Sequence, residues 1–191
     1  MPEELSRDEK KSASPWFSPG LVSSEEIILR TVLDPDHLKK DGKLADAAIS
    51  LEDIRVRGWS VDRKRFTSPW AIKLFHSRWK RKKPAISKFY VLPILVRDLR
   101  YRDETTGIQE FVAVDAALWF KPSHAAVLLS RLQPPSAARK LRTDLIQKLP
   151  RYVDVSRAFN SGDRYGYTRG LIWHLRTLLF TFLRHITKFK D

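Results

Sequence analysis

The sequence of 191 residues contains no cysteine, and this absence excludes several kinds of chemistry. Disulfides, thiolate zinc sites, iron–sulfur clusters and cysteine nucleophiles all require the missing thiol. The seven glycines never assemble into the G-x-x-x-x-G-K or G-x-G-x-x-G spacings that bind phosphate groups. We therefore expect neither a P-loop nor a dinucleotide-binding fold, and we expect no cofactor.

From the sequence we also expect neither a membrane-spanning helix nor a secretory signal. The C-terminal stretch GLIWHLRTLLFTFLRHITKFKD is interrupted by Arg176, Arg184 and two histidines, whereas a spanning helix needs about 20 mostly uncharged residues. The N-terminal MPEELSRDEKKSASP has mixed charge and no apolar segment of the kind found in secretory signals. The sequence therefore predicts a cytoplasmic protein without a transmembrane span.

The composition is typical of a globular protein. Hydrophobic residues make up 42% of the chain and aromatic residues 11%, which provides enough apolar surface to offset the entropy lost on folding. The length suits one domain with a tail. We predict a flexible leader at 1–14 and a single α+β domain at 15–191, in which helices cover an antiparallel sheet.

Two β-rich runs dominate the middle of the chain. The segments KFYVLPILVRDLRY and QEFVAVDAALWF are joined by the polar RDETTGI, a pattern that predicts a central hairpin. Pro93 cannot donate a ladder hydrogen bond, so it places the first run at a sheet edge or bulge. A strand is also expected in GWSVDRKRF. SSEEIILRTVL has the serine and carboxylates of a helix start but a β-branched continuation, so we expect a helical turn that leads into a short strand.

Helix signals occur at several serines and prolines. Ser68 followed by Pro69 predicts a capped helix over PWAIKLFHSRWKRK, with Trp70 on its apolar face. Ser123 predicts the cap of a short helix in HAAVLLSRL. Further helices are predicted at 136–148, between prolines, and at 171–189, where the helix is amphipathic.

The charge is distributed unevenly along the chain. The net charge is +14, but residues 1–60 carry −3, residues 61–120 carry +7 and residues 121–191 carry +10. The basic two-thirds is therefore the expected contact surface.

Two basic segments are candidates for binding nucleic acid. One lies within eleven residues that contain no acid, so its cations repel one another and phosphate would relieve that repulsion. In the other, SGDRYGYTRG, tyrosines could stack on bases while arginines contact phosphate. The candidate residues are Arg78, Lys80, Arg81, Lys82, Lys83, Lys88, Arg164, Tyr165, Tyr167 and Arg169. An anionic lipid surface or an acidic protein partner are the alternatives.

Residues for metal or catalytic chemistry are sparse. None of the five histidines has another at the i, i+3 or i+4 spacing of a helical metal site. LDPDH at 33–37 could serve a metal-dependent hydrolase, but Asp-Pro-Asp is a common turn signal and we interpret it as a turn. We predict no metal site.

The segments DGKLADAAISLEDIRVRGWSVDRKRF and KPSHAAVLL resemble a loose pattern in small bacterial proteins. In that pattern an Asp-Gly, a small-residue segment, an LSVDR-like strand and an HA segment occur in this order. The resemblance implies a bacterial, cytoplasmic origin and transfers no catalytic role. It marks Ser60, Asp62, Arg63 and His124 as the residues to test for a functional patch.

The favoured function is a non-catalytic, largely sequence-independent DNA- or RNA-binding component of a bacterial multi-protein system. One alternative is a protein-interaction subunit that docks through residues 171–189. The other is a small enzyme that uses Ser60, Asp62, Arg63 and His124, which would require these four side chains to converge in one cleft.

Overall fold

Five antiparallel strands form one sheet in the computed structural model, which describes residues 9, 18–73, 76, 88–103, 105–118, 121 and 123–159. The spatial order of the strands is β3-β1-β2-β5-β4. Their bounds are β1 Ile27–Asp34, β2 Trp59–Arg63, β3 Lys88–Leu95, β4 Phe111–Asp115 and β5 His124–Leu129.

Helical elements connect and cover the strands. α1 is a single turn at Val96–Leu99, and α2 spans Pro135–Lys148. Another helix begins at residue 69, where the Ala71 amide donates to the Ser68 hydroxyl at 3.2 Å. Short helical turns lie at Asp46–Ala48, Asp53–Arg57, Lys64–Phe66 and Val155–Ala158. An α+β fold with an antiparallel sheet is therefore confirmed.

The two faces of the sheet differ in what they bury. The first face carries the main core, where Trp59 and Phe111 pack with residues of α2 such as Leu145. The second face carries a smaller cluster, in which Leu29 and Val91 pack against the helix that begins at residue 69 and the Val155–Ala158 turn. Because side chains alternate along a strand, each strand supplies both faces.

Several sequence predictions are confirmed and others are wrong. Pro93 lies on β3, which is an edge strand, and the helix predicted at 136–148 is α2. The predicted hairpin is wrong, because β3 pairs with β1 and β4 pairs with β5 at the other end of the sheet. The connecting RDETTGI does form a local turn, closed by a bridge between Arg102 and Gln109.

Two predictions about helices are also wrong. Ser123 caps no helix, because the residues after it form β5 between β2 and β4. Trp70 does not lie on the buried face of its helix, since it is 48% exposed and Ala71 and Ile72 are buried instead.

Some predicted segments lie outside the described residues. These are the C-terminal helix at 171–189 and the leader at 1–14, apart from Glu9, whose carboxylate contacts Arg100. Among the described residues, no helix is long and apolar enough to cross a membrane.

Gly58 is the residue at which the chain turns from the Asp53–Arg57 helical turn into β2. Its φ of 87° and ψ of 122° are readily adopted only by glycine. A Cβ built at this position would lie 2.6 Å from the Cβ of Ala126 on β5. Both the backbone conformation and the close approach of β5 therefore require glycine.

We predict that Gly58→Ala destabilises the fold by about 2–4 kcal/mol, because it adds steric overlap to backbone strain. Gly107→Ala is the matched control, since Gly107 also has a positive φ but its Cβ would meet no atom within 4 Å. The control should cost about 1 kcal/mol. Urea unfolding of both variants tests this, and equal losses would contradict the steric argument.

Candidate functional site

Of the ten residues predicted to bind nucleic acid, the structure describes one, Lys88. Lys88 begins β3 at the edge of the sheet, and its side chain is exposed. The remaining nine predicted residues lie outside the described part of the chain. They are Arg78, Lys80, Arg81, Lys82, Lys83, Arg164, Tyr165, Tyr167 and Arg169.

Three of the four residues marked by the bacterial pattern meet on the second face of the sheet. Ser60 and Asp62 alternate with core residues along β2, so both project to the same side. His124 on β5 is the register partner of Asp62. The hydroxyl oxygen of Ser60 lies 3.3 Å from Nδ1 of His124, although the two residues are far apart in sequence.

The carboxylate of Asp62 is occupied by other partners. The Ser123 hydroxyl donates to Oδ1 of Asp62 at 2.8 Å, and Nζ of Lys121 lies 3.0 Å from the same oxygen. A Ser-His-Asp triad needs the carboxylate to orient the imidazole. Since Asp62 bonds to Ser123 and Lys121, the geometry provides a Ser60–His124 contact without that third member.

A second histidine lies on the same face. Nε2 of His76 is 2.6 Å from the Thr31 hydroxyl, and its ring packs 5.5 Å from the ring of Phe89. Burial lowers the pKa of His76 to about 4, although the nearby Asp62 acts in the opposite direction. Burial, and then the charge of Lys121, likewise lower the pKa of His124. Both imidazoles are therefore neutral at pH 7.

We define the second-face polar cluster as the residues whose polar side chains meet in this way. Its neutral imidazoles and hydroxyls can donate and accept hydrogen bonds, and the charges of Asp62 and Lys121 offset each other. The members are Thr31, Ser60, Asp62, His76, Lys121, Ser123 and His124.

Arg63 does not join this cluster, because it projects to the opposite face of β2. Its guanidinium donates twice to the Glu26 carboxylate, at 2.7 Å for each bond. It also donates to the Gly20 carbonyl at 2.6 Å. The Arg63 side chain is 3% exposed. Arg63 is therefore a structural residue, and the four side chains of the small-enzyme hypothesis do not converge in one cleft.

A basic surface that the sequence reasoning did not single out lies on and around α2. All five residues are exposed, and three of them, Arg131, Lys140 and Lys148, line one cavity beside the helix. The charge total of the last third was the signal available, but it did not indicate which residues share a surface. We define the α2 basic surface as Arg131, Arg139, Lys140, Lys148 and Arg151.

Neither a search for metal-binding side chains nor comparison with known proteins assigns a function to these residues. Within the described residues, no group of three or more histidine, aspartate or glutamate side chains could hold a metal ion. Comparison with protein families, with curated protein sequences and with solved structures finds no match to this chain.

The partly buried His76 predicts a dependence of stability on pH. The imidazole of the unfolded chain binds a proton near its ordinary pKa of 6.5, whereas that of folded His76 does so near 4. Stability is therefore lost as pH falls from about 6.5 towards 4. We expect the free energy of unfolding to drop by about 1–2 kcal/mol between pH 7 and pH 5.

The measurement is urea unfolding of the wild type and of His76→Gln at both pH values. The variant should lose much of this pH dependence, because its amide does not titrate. An NMR titration that placed the pKa of the His76 ring near 6.5 would contradict the argument.

The ion pair of Arg63 predicts a large loss of stability when it is broken. Arg63→Met leaves the carboxylate of Glu26 buried without its cation, which should cost about 3–5 kcal/mol. The control is Arg57→Met, since the Arg57–Glu52 pair is 2.7 Å long but its side chains are 68% and 58% exposed. The control should cost less than about 1 kcal/mol. If urea unfolding shows that both variants lose less than about 1 kcal/mol of unfolding free energy, Arg63 does not anchor Glu26.

Proposed function

We propose that the protein is a non-catalytic nucleic-acid-binding component that holds DNA or RNA through its phosphates. The observation that carries this proposal is the α2 basic surface. Its five cations are exposed, and none forms an ion pair with another described residue.

Cations that have no ion-pair partner and lie near one another raise the electrostatic energy of the free protein. α2 itself carries one acid, the half-buried Asp144, which cannot neutralise the exposed Arg139, Lys140 and Lys148 of the same helix. A phosphate backbone would relieve this repulsion and release its own condensed counterions. Both effects favour nucleic acid over a neutral partner.

The basic segments outside the described residues support the same proposal through their sequence. Residues 78–88 hold six cations without an acid, and residues 164–169 combine two arginines with two tyrosines. In this proposal, the cations of both segments contact phosphate and the tyrosines stack on bases.

Recognition of this type is largely independent of base sequence. Contacts to phosphate set the position and orientation of a protein on nucleic acid, but they carry no direct base information. The alternative of a protein-interaction subunit that docks through 171–189 stays a prediction, because that segment lies outside the described residues.

The test is fluorescence anisotropy of labelled single-stranded DNA, duplex DNA and RNA across a salt series. We expect the logarithm of the wild-type affinity to fall linearly with the logarithm of the salt concentration. In the variant Arg139→Ser/Lys140→Ser/Lys148→Ser, the slope should shrink by roughly 0.7–0.9 for each phosphate group that the variant no longer neutralises. Changing Arg78, Lys80, Arg81, Lys82 and Lys83 to serine should reduce it separately.

The matched control is Arg57→Ser/Arg65→Ser/Arg97→Ser, which removes the same charge from exposed positions that line neither of the two cavities beside α2. It should leave the slope nearly unchanged. Absence of binding at low salt would refute the proposal. Equal reductions of the slope in the α2 variant and in the control would show that net charge, and not the α2 basic surface, determines binding.

A further inference from the structure

A cavity of about 790 Å³ lies beside the C-terminal half of α2 and is separate from the second-face polar cluster. Its lining comes from three places: the last turns of α2, the 149–152 segment that follows the helix, and the 39–46 segment that follows β1. The volume falls within the size range of small-molecule sites.

Hydrogen bonds hold the segments that line this cavity together. The Tyr152 hydroxyl donates to the Gly42 carbonyl at 3.0 Å, which joins the segment after α2 to the segment after β1. The 39–46 segment is itself a closed turn, since the Gly42 amide donates to the Lys39 carbonyl at 2.9 Å and Leu38 forms a bridge with Leu44. The cavity therefore has a backbone framework.

The apolar part of the lining is aliphatic. Leu44, Ile146 and Leu149 line the cavity, are half-buried and pack against the main core. The aromatic residue of the lining, Tyr152, has its ring 4.9 Å from the ring of Tyr90, and its hydroxyl is used in the bond described above. An aliphatic body therefore fits this lining better than a flat base that would need a free aromatic face for stacking.

Both acids in the lining are paired with cations. Nζ of Lys43 lies 3.2 Å from Oδ2 of Asp41, and the Arg142 guanidinium donates to the carboxylate of Asp46. Three cations line the cavity, and Arg142 adds a fourth from outside the lining. Positive charges therefore exceed the two acids by two.

The excess positive charge belongs to Lys39 and Arg151. Both line the cavity and are exposed, and neither forms an ion pair with another described residue. Lys39 bonds through its backbone to Gly42, and Arg151 adjoins Tyr152, so the two cations flank the hydrogen bond between Gly42 and Tyr152. Ammonium and guanidinium groups bind carboxylate and phosphate oxygens through charge-assisted hydrogen bonds.

We infer that this cavity binds a small molecule with an aliphatic body and one anionic head group, the chemistry that a medium-chain carboxylate presents. The body packs on Leu44, Ile146 and Leu149, and the head group contacts Lys39 and Arg151. Burial of the body supplies most of the affinity, and the cations fix the orientation of the ligand. This inference is independent of the proposed function.

The experiment is an NMR titration of the ¹⁵N-labelled full chain at pH 7 with sodium octanoate, sodium acetate or 1-octanol. Octanoate should shift the backbone amides of residues 39–46 and 146–152 in a saturable manner. Acetate lacks the aliphatic body and octanol lacks the charge, so each should bind at least about tenfold more weakly than octanoate.

A double variant tests the role of the two cations. Lys39→Ser/Arg151→Ser should lower octanoate affinity about tenfold while changing octanol affinity by less than about twofold. The matched control is Arg65→Ser/Arg157→Ser, which removes the same charge from exposed positions outside the lining and should leave octanoate affinity unchanged. If circular dichroism shows that the double variant does not fold, Lys39→Ser alone decides, with an expected loss of about threefold.

The outcomes separate this inference from the proposed function. The cavity site is overturned if octanoate produces no saturable shifts in the two segments, if octanol binds as tightly as octanoate, or if the double variant and its control lose equal affinity. None of the three probes contains nucleic acid, so these results leave the proposed phosphate binding untouched. Absence of nucleic-acid binding would likewise leave the cavity site standing.

Discussion

Two buried guanidinium groups tie the segment that precedes β1 to the rest of the sheet. Arg63 on β2 donates to the Gly20 carbonyl at 2.6 Å, and Arg100 after α1 donates to the Val22 carbonyl at 2.7 Å. Each arginine also pairs with a buried glutamate, Glu26 for Arg63 and Glu9 for Arg100. The rigid fork of donors suits arginine to this role, and without it these carbonyls would lose a side-chain donor and the two carboxylates would lose their cation.

This constraint determines how β2 can be used. Because Arg63 projects to the first face, Ser60 and Asp62 must project to the second. On β2, Arg63 therefore stabilises the fold, whereas Ser60 and Asp62 lie beside His124 of β5. The second-face polar cluster is a consequence of register, and its chemistry comes from residues whose charges are largely compensated within it.

The sequence predicted best what depends on local chemistry. The prolines around α2, the Ser68 cap and the edge position of Pro93 each follow from what one residue can or cannot donate. Strand partners do not follow in this way. β3 and β4 had the alternation and the turn of a hairpin, yet β3 pairs with β1 and β4 pairs with β5. The residues after Ser123 form a strand because β2 and β4 flank them, a tertiary effect that overrides local signals.

The candidate sites show the same division. The bacterial pattern relates Ser60 to His124, but their contact at 3.3 Å depends on the pairing of β2 with β5. The cations of α2 could be counted in advance, but only the structure showed that Lys140 and Lys148 line one cavity with Arg131.

The edges of the sheet have a consequence for how other molecules can approach. On β3, Val91 exchanges backbone hydrogen bonds of 2.9 and 2.8 Å with Val153. On β4, the Ala113 amide donates to the Glu9 carboxylate at 3.1 Å. Segments of the same chain therefore occupy ladder positions on both outer strands, and Pro93 removes one more donor. A strand from another chain would have to displace them first, so growth of the sheet by strand addition is disfavoured.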